Sequence, residues 1–71
     1  MNISGRTKLF PIIGDPVAGV VSPPAVNAWF QSNAIDACMM PLNIPASNIT
    51  GFWDTLRASN TFLGCSITYP H

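Results

Sequence analysis

The chain has 71 residues, of which 48% are hydrophobic and 8% charged, whereas soluble domains carry about 25% charged residues. At this length it forms one domain at most and buries only about 60% of the surface its unfolded chain exposes. Arg6, Lys8 and Arg57 balance Asp15, Asp36 and Asp54 with no cluster of one sign, which leaves nucleic acid and anionic membranes without an electrostatic basis for binding.

Residues 7–14, TKLFPIIG, are an apolar run closed by Gly-Asp-Pro and read as a first strand entering a turn. Pro11 has no N–H for a ladder, so its side of the strand is unpaired or a bulge lies there. Ser22 followed by Pro23 predicts a helix start, with the serine as N-cap and the proline at the first helical position. The helix runs over 23–31, with Val26, Trp29 and Phe30 as its apolar face. Residues 37–44, ACMMPLNI, predict a second strand, near an edge because of Pro41. Ser47 or Asn48 caps a second helix whose Ile49, Phe52, Trp53 and Leu56 share one face, and Asn60 closes it. Residues 61–68 complete the set as a third strand. The order βαβαβ at this spacing predicts an α/β fold with a parallel sheet and right-handed crossovers. Ligands of such sheets bind beyond the carboxyl ends of the strands. Here those ends are the GDPVAGVVS loop, the segment around Asn43 and the terminal SITYPH.

No apolar run reaches the eighteen or more residues of a membrane span, and KLFPIIG lacks a cleavage pattern, so a soluble cytoplasmic protein is expected. Cys38 and Cys65 are distant and set among apolar residues, as buried reduced thiols are; neither a metal site nor a CxxC pair is expected. GDPVAG has the G-x-x-x-x-G spacing of a phosphate loop, but Val20 and Val21 stand where Lys and Ser/Thr are needed. There is no GxGxxG, so these residues bind no dinucleotide in the usual way. His71 is the sole histidine, at the last position, and serves no nucleophile. Asp15 in its Gly-Asp-Pro turn reads as a structural residue bonded to its own backbone. Ser22, Asn27, Asn43, Ser66 and Thr68 remain as polar groups near strand ends, suited to a polyhydroxylated or carboxylated small molecule. For Ser22 and Asn27, capping is an equal alternative. Ser66 and Thr68 alternate on the third strand and so point to one face.

The order IIGDPV (12–17), then Ser22-Pro23 with Asn27 four residues on, then GCSITYPH (64–71), resembles the N-terminal substrate-binding domain of shikimate dehydrogenases. The likeness covers about residues 4–71. It implies one part of a three-layer α/β/α substrate-binding domain over 1–71, with the NADP-binding Rossmann domain outside this chain. In that family two serines in Ser-x-Ser-Pro-x-x-His-Asn hold the substrate carboxylate, and the third strand ends Asn-x-Thr-x-Pro-x-Lys. By resemblance, Ser22 is the second serine, Thr68 the substrate-binding threonine, and the family's catalytic lysine would follow His71. Val20 replaces the first serine, Ser66 the asparagine and Val26 the histidine. Each lost hydrogen bond to a charged partner is worth about 1.5–3 kcal/mol, which points to an altered substrate preference or to a copy no longer selected for this reaction.

The resemblance thus implies the cyclohexene-acid-binding part of an NADP-dependent oxidoreductase of aromatic amino acid biosynthesis. Ser22, Ser66, Thr68 and Val20 are its substrate-binding positions. No catalytic, cofactor-binding or metal-binding residue is expected within the chain. The alternatives are a stand-alone, non-catalytic binding module that self-associates through its exposed third strand, and a remnant without function.

Overall fold

The computed structural model describes residues 1–71. Its element order is β1 (Lys8–Gly14), α1 (Ser22–Ser32), β2 (Ala37–Asn43), a 3₁₀ turn (Ala46–Asn48), α2 (Ile49–Ala58) and β3 (Ser66–Ile67). All pairings are parallel and the strand order is β2-β1-β3, so the expected α/β class and βαβαβ order hold. The first crossover moves to one side of β1 and the second to the other, and right-handed connections then place the two helices on opposite faces. Side-chain contacts agree: Phe30 of α1 meets Phe10 of β1 edge-on at 6.0 Å, while Phe52 of α2 meets Phe62 at 6.1 Å.

Proline explains the sheet's irregularities. Leu9 and Ile13, the alternate neighbours of Pro11, exchange backbone bonds with the third-strand segment: Leu9 N–H donates to Thr61, Leu63 N–H to Leu9, and Thr68 N–H to Ile13. Pro11 therefore faces the same way with no hydrogen to give. From Leu9 to Ile12 β1 advances three positions, while its partner goes from Phe62 to Ser66, four positions. The extra residue is a bulge opposite Pro11. The third strand expected over 61–68 is accordingly reduced to an isolated bridge at Phe62 and the pair Ser66–Ile67.

The core lies between the sheet and α1, where Ile12, Phe30, Ala37 and Met39 are buried with Phe10, Val20, Val26 and Ile35 packed round them. Trp29, expected on this face, is 57% exposed. Val26, Asn27 and Phe30 set the inward direction of α1, and Trp29 lies about 100° from Phe30 around the helix. The other face of the sheet buries Pro11 and Ile13 completely. The α2 residues Ile49, Phe52, Trp53 and Leu56 are half-buried, and no α2 residue is fully buried.

The expected caps differ. Val21, not Ser22, is the N-cap of α1, and no side chain caps it. Ser22 stands inside the first turn followed by Pro23 and Pro24, which have no N–H to satisfy. At α2 the 3₁₀ turn leads in, Asn48 N–H donates to Pro45, and neither Ser47 nor Asn48 caps; the helix ends at Ala58, short of Asn60. No helix is long and apolar enough to cross a membrane.

Candidate substrate site

The chain leaves β1 in one direction toward β2 and later returns to the other side of β1 as β3. Beyond the carboxyl ends of β1 and β3 the loop from β1 to α1 faces the segment that follows β3. A cavity of about 400 Å³ lies there. Its floor is Ile12, one wall is Pro16 and the loop residues Gly19, Val20 and Val21 with Ser22, and the opposite wall is Thr68 and Tyr69. The peptide bonds Asp15–Pro16 and Tyr69–Pro70, at the two walls, are both cis.

Close approach of the two strand ends depends on Gly14. A Cβ there would sit 2.5 Å from Thr68 Cγ2 and 2.8 Å from the Tyr69 carbonyl oxygen. The third-strand end is held by Thr68 N–H donating to Ile13 (2.8 Å) and Asp15 N–H to the Tyr69 carbonyl (3.3 Å). His71 adds a pin: its Nε2–H donates to the Ile44 carbonyl at 2.6 Å, tying the turn after β3 to the end of β2. Asp15 is structural, although its carboxylate accepts from Asn43 Nδ2 (3.0 Å) instead of binding its own backbone.

Val20, Ser22 and Thr68 thus meet around one cavity, while Ser66 does not line it. Ser66 pairs with Ile12, two residues before Thr68, and so lies level with the floor and not at the mouth. Asn43 is engaged with Asp15, and Asn27 is engaged with the backbone of Met39. Sequence reasoning missed Ile12, Pro16, Gly19, Val21 and Tyr69 as lining residues. The signal available was positional, since all five flank the carboxyl ends of β1 and β3.

The lining holds no lysine, arginine, histidine or carboxylate. Arg57 is paired with Asp54 on α2, and Lys8 donates to the Asn60 carbonyl at the amino end of β1. The cavity is an apolar ring with two aliphatic hydroxyls. The Ser22 hydroxyl donates to the Met39 thioether at 3.6 Å, a weak acceptor that a ligand oxygen would readily replace. Such a lining suits a small molecule that offers oxygen acceptors, and it contains no group that transfers protons at neutral pH.

Comparison with known proteins gives a consistent picture. The family described as shikimate dehydrogenase substrate binding domain matches residues 12–71. An NADP(+) shikimate dehydrogenase from Microcystis aeruginosa is 36% identical over 69 residues, covering 97% of this chain and 24% of that protein. Its counterpart from Geobacter sp. is 35% identical over 71 residues, covering 100% and 24%. A crystal structure of a shikimate dehydrogenase in complex with NADP+ superposes with a TM-score of 0.90 at 27% identity, over 99% of this chain and 24% of that one. A Listeria monocytogenes shikimate 5-dehydrogenase, solved with shikimate and NAD, shares the fold at a TM-score of 0.90 and 22% identity. The chain spans about a quarter of the length of the curated relatives it matches.

Proposed function

The chain belongs to the shikimate dehydrogenase substrate-binding domain family, and from that premise we propose that it is the substrate-holding part of an NADP-dependent shikimate dehydrogenase-type oxidoreductase. The reading places it in aromatic amino acid biosynthesis in the cytoplasm, with shikimate or a related cyclohexene acid as ligand. One observation carries it: the crevice between β1 and β3 brings Ser22 and Thr68 together over an apolar floor. The two hydroxyls donate to the ligand's carboxylate or ring oxygens, while Ile12, Val20 and Val21 pack against its carbon skeleton.

NADP does not fit these residues. The first turn of α1 holds Pro23 and Pro24, which offer no N–H to a phosphate, and the amino end of α2 is occupied by the 3₁₀ turn Ala46–Asn48. Binding and orienting the ring acid is this chain's share of the reaction, and the cofactor belongs to the longer protein.

Titrating the isotope-labelled chain with shikimate tests the assignment by amide shifts. Saturable changes are expected at Val21, Ser22, Thr68 and Tyr69. Changes confined to the opposite end of the sheet, around Ile35 and Asp36, or none at all, reject it.

A further inference from the structure

We propose that Asn27 is a positioning residue: its side-chain amide stands in for an absent strand on the open edge of β2 and thereby fixes Ser22 at the cavity. Asp36 and Ile44 bond to β1 through Lys8 N–H and the Gly14 carbonyl. By the two-residue alternation of a strand, the backbone groups of Ala37, Met39, Pro41 and Asn43 face away from β1, along the sheet's open edge. Pro41 has no hydrogen to offer there. Met39 has both a donor and an acceptor, and both are taken by one side chain: Met39 N–H donates to Asn27 Oδ1 at 2.7 Å, and Asn27 Nδ2 donates to the Met39 carbonyl at 3.1 Å. The carboxamide pairs with the Met39 backbone as a neighbouring strand would.

The consequence for the cavity runs through Met39 itself. Its side chain is 3% exposed, belongs to the core cluster and accepts the Ser22 hydroxyl on its sulfur. Ser22 and Asn27 lie five residues apart on α1, so the helix is fastened to Met39 at two points, once through backbone and once through side chain. The rotation this imposes turns Asn27 inward and Trp29 outward. Only a side chain with a donor and an acceptor on one short planar group satisfies both edge groups of Met39.

Asn27→Ala removes both bonds. Asn27→Asp keeps an acceptor for Met39 N–H but at neutral pH turns a second oxygen toward the Met39 carbonyl, a repulsion relieved when the carboxyl protonates and donates. The two elements concerned, α1 and β2, hold one titratable group besides, Cys38, whose thiol is a weak second donor to the Met39 carbonyl at 3.6 Å. In the Asp variant at neutral pH we expect loss of the nuclear Overhauser contact between the Met39 methyl and Ser22 β-protons, with recovery on acidification toward about pH 4. The shikimate Kd of the folded Ala variant should rise about tenfold, the value of one hydrogen bond to a charged ligand. A retained contact and unchanged Kd alongside a lowered urea midpoint overturn the proposal, since a merely structural residue gives that result. Should the Ala variant not fold, the Asp variant across pH decides. The ligand arm rests on the proposed function, whereas the Met39–Ser22 contact does not. An unsubstituted chain that ignores shikimate, in the presence of a contact that responds to Asn27→Asp, overturns that function and upholds this role.

Discussion

Gly14 is where one missing carbon decides whether the cavity's two walls can stand side by side. Alanine there would collide with Thr68 Cγ2 and, less yieldingly, with the Tyr69 carbonyl. Gly14→Ala is expected to cost about 1–3 kcal/mol of stability through overpacking and to shift the Thr68 and Tyr69 amide resonances, which a urea titration and an amide spectrum will show. Val20 works in the opposite sense. It lines the cavity with an isopropyl group where the resemblance expects a hydroxyl. Val20→Ser adds a donor beside Ser22, and shikimate should bind about tenfold tighter, the worth of one charge-assisted hydrogen bond after some loss of apolar packing; calorimetry that finds weaker binding would contradict the assigned wall. Cys65 is half-buried, and burial pushes its thiol up from the ordinary range. The folded state thus disfavours the thiolate. Its contribution to stability is complete below the unfolded thiol's pKa, about 8.5, and is lost as pH rises through the higher folded value. Alkylation of Cys65 should run slower in the folded chain than in urea at the same pH. Cys65→Ala should flatten the alkaline fall of the urea midpoint.

At the scale of elements, the two helices hold the sheet very unequally. α1 buries Phe30 and is fastened to β2 through Asn27, whereas α2 has no fully buried residue. Local opening follows such differences. Amides of Phe10, Ile12 and Met39 are expected to exchange slowest and those of α2 fastest, and native-state hydrogen exchange that protects α2 as strongly as β1 would refute this ranking. The same inequality bears on what could be read in advance. β1, β2 and both helices were legible because hydrophobic periodicity and turn residues are local signals, and their bounds shift by only one or two residues. The fragmentation of β3 was not legible, since it depends on which neighbour the amide side of Pro11 faces, and that is known only once the strand order is. Ser22 read as a cap because Ser-Pro is the local signature. Its actual partner, Met39, lies 17 residues away and is brought there by the edge pairing of Asn27. Ser22 and Thr68 were identified through a resemblance anchored in short motifs, and the walls between them are a product of topology.

The whole molecule is a slab, 35 × 28 × 14 Å across its Cα atoms. Its radius of gyration is 12.3 Å, against about 11 Å expected for a compact chain of this length. Its accessible surface is 4657 Å², where about 4,300 Å² is usual for this mass. Both excesses come from a three-stranded sheet without enough chain to cover it. Leu63 and Ile67 are each about half exposed on the third-strand segment, and β3 is an outer strand with nothing beside it. β2 is the other outer strand, but there Pro41 withholds a donor and Asn27 occupies Met39, two of the ways by which edges are kept from pairing. β3 is guarded only by its shortness and by the bulge before it, and its flanking residues carry no lysine, arginine or side-chain carboxylate to repel a partner. Association of the 71-residue chain is therefore expected to proceed through β3 and not through β2. Sedimentation should show a concentration-dependent dimer or larger species, and Ile67→Lys, which puts a charge on the open strand, should return it toward monomer, while Met40→Lys on β2 should leave it assembled. A monomer at every concentration of the unsubstituted chain would show that the β3 edge is insufficient as a template.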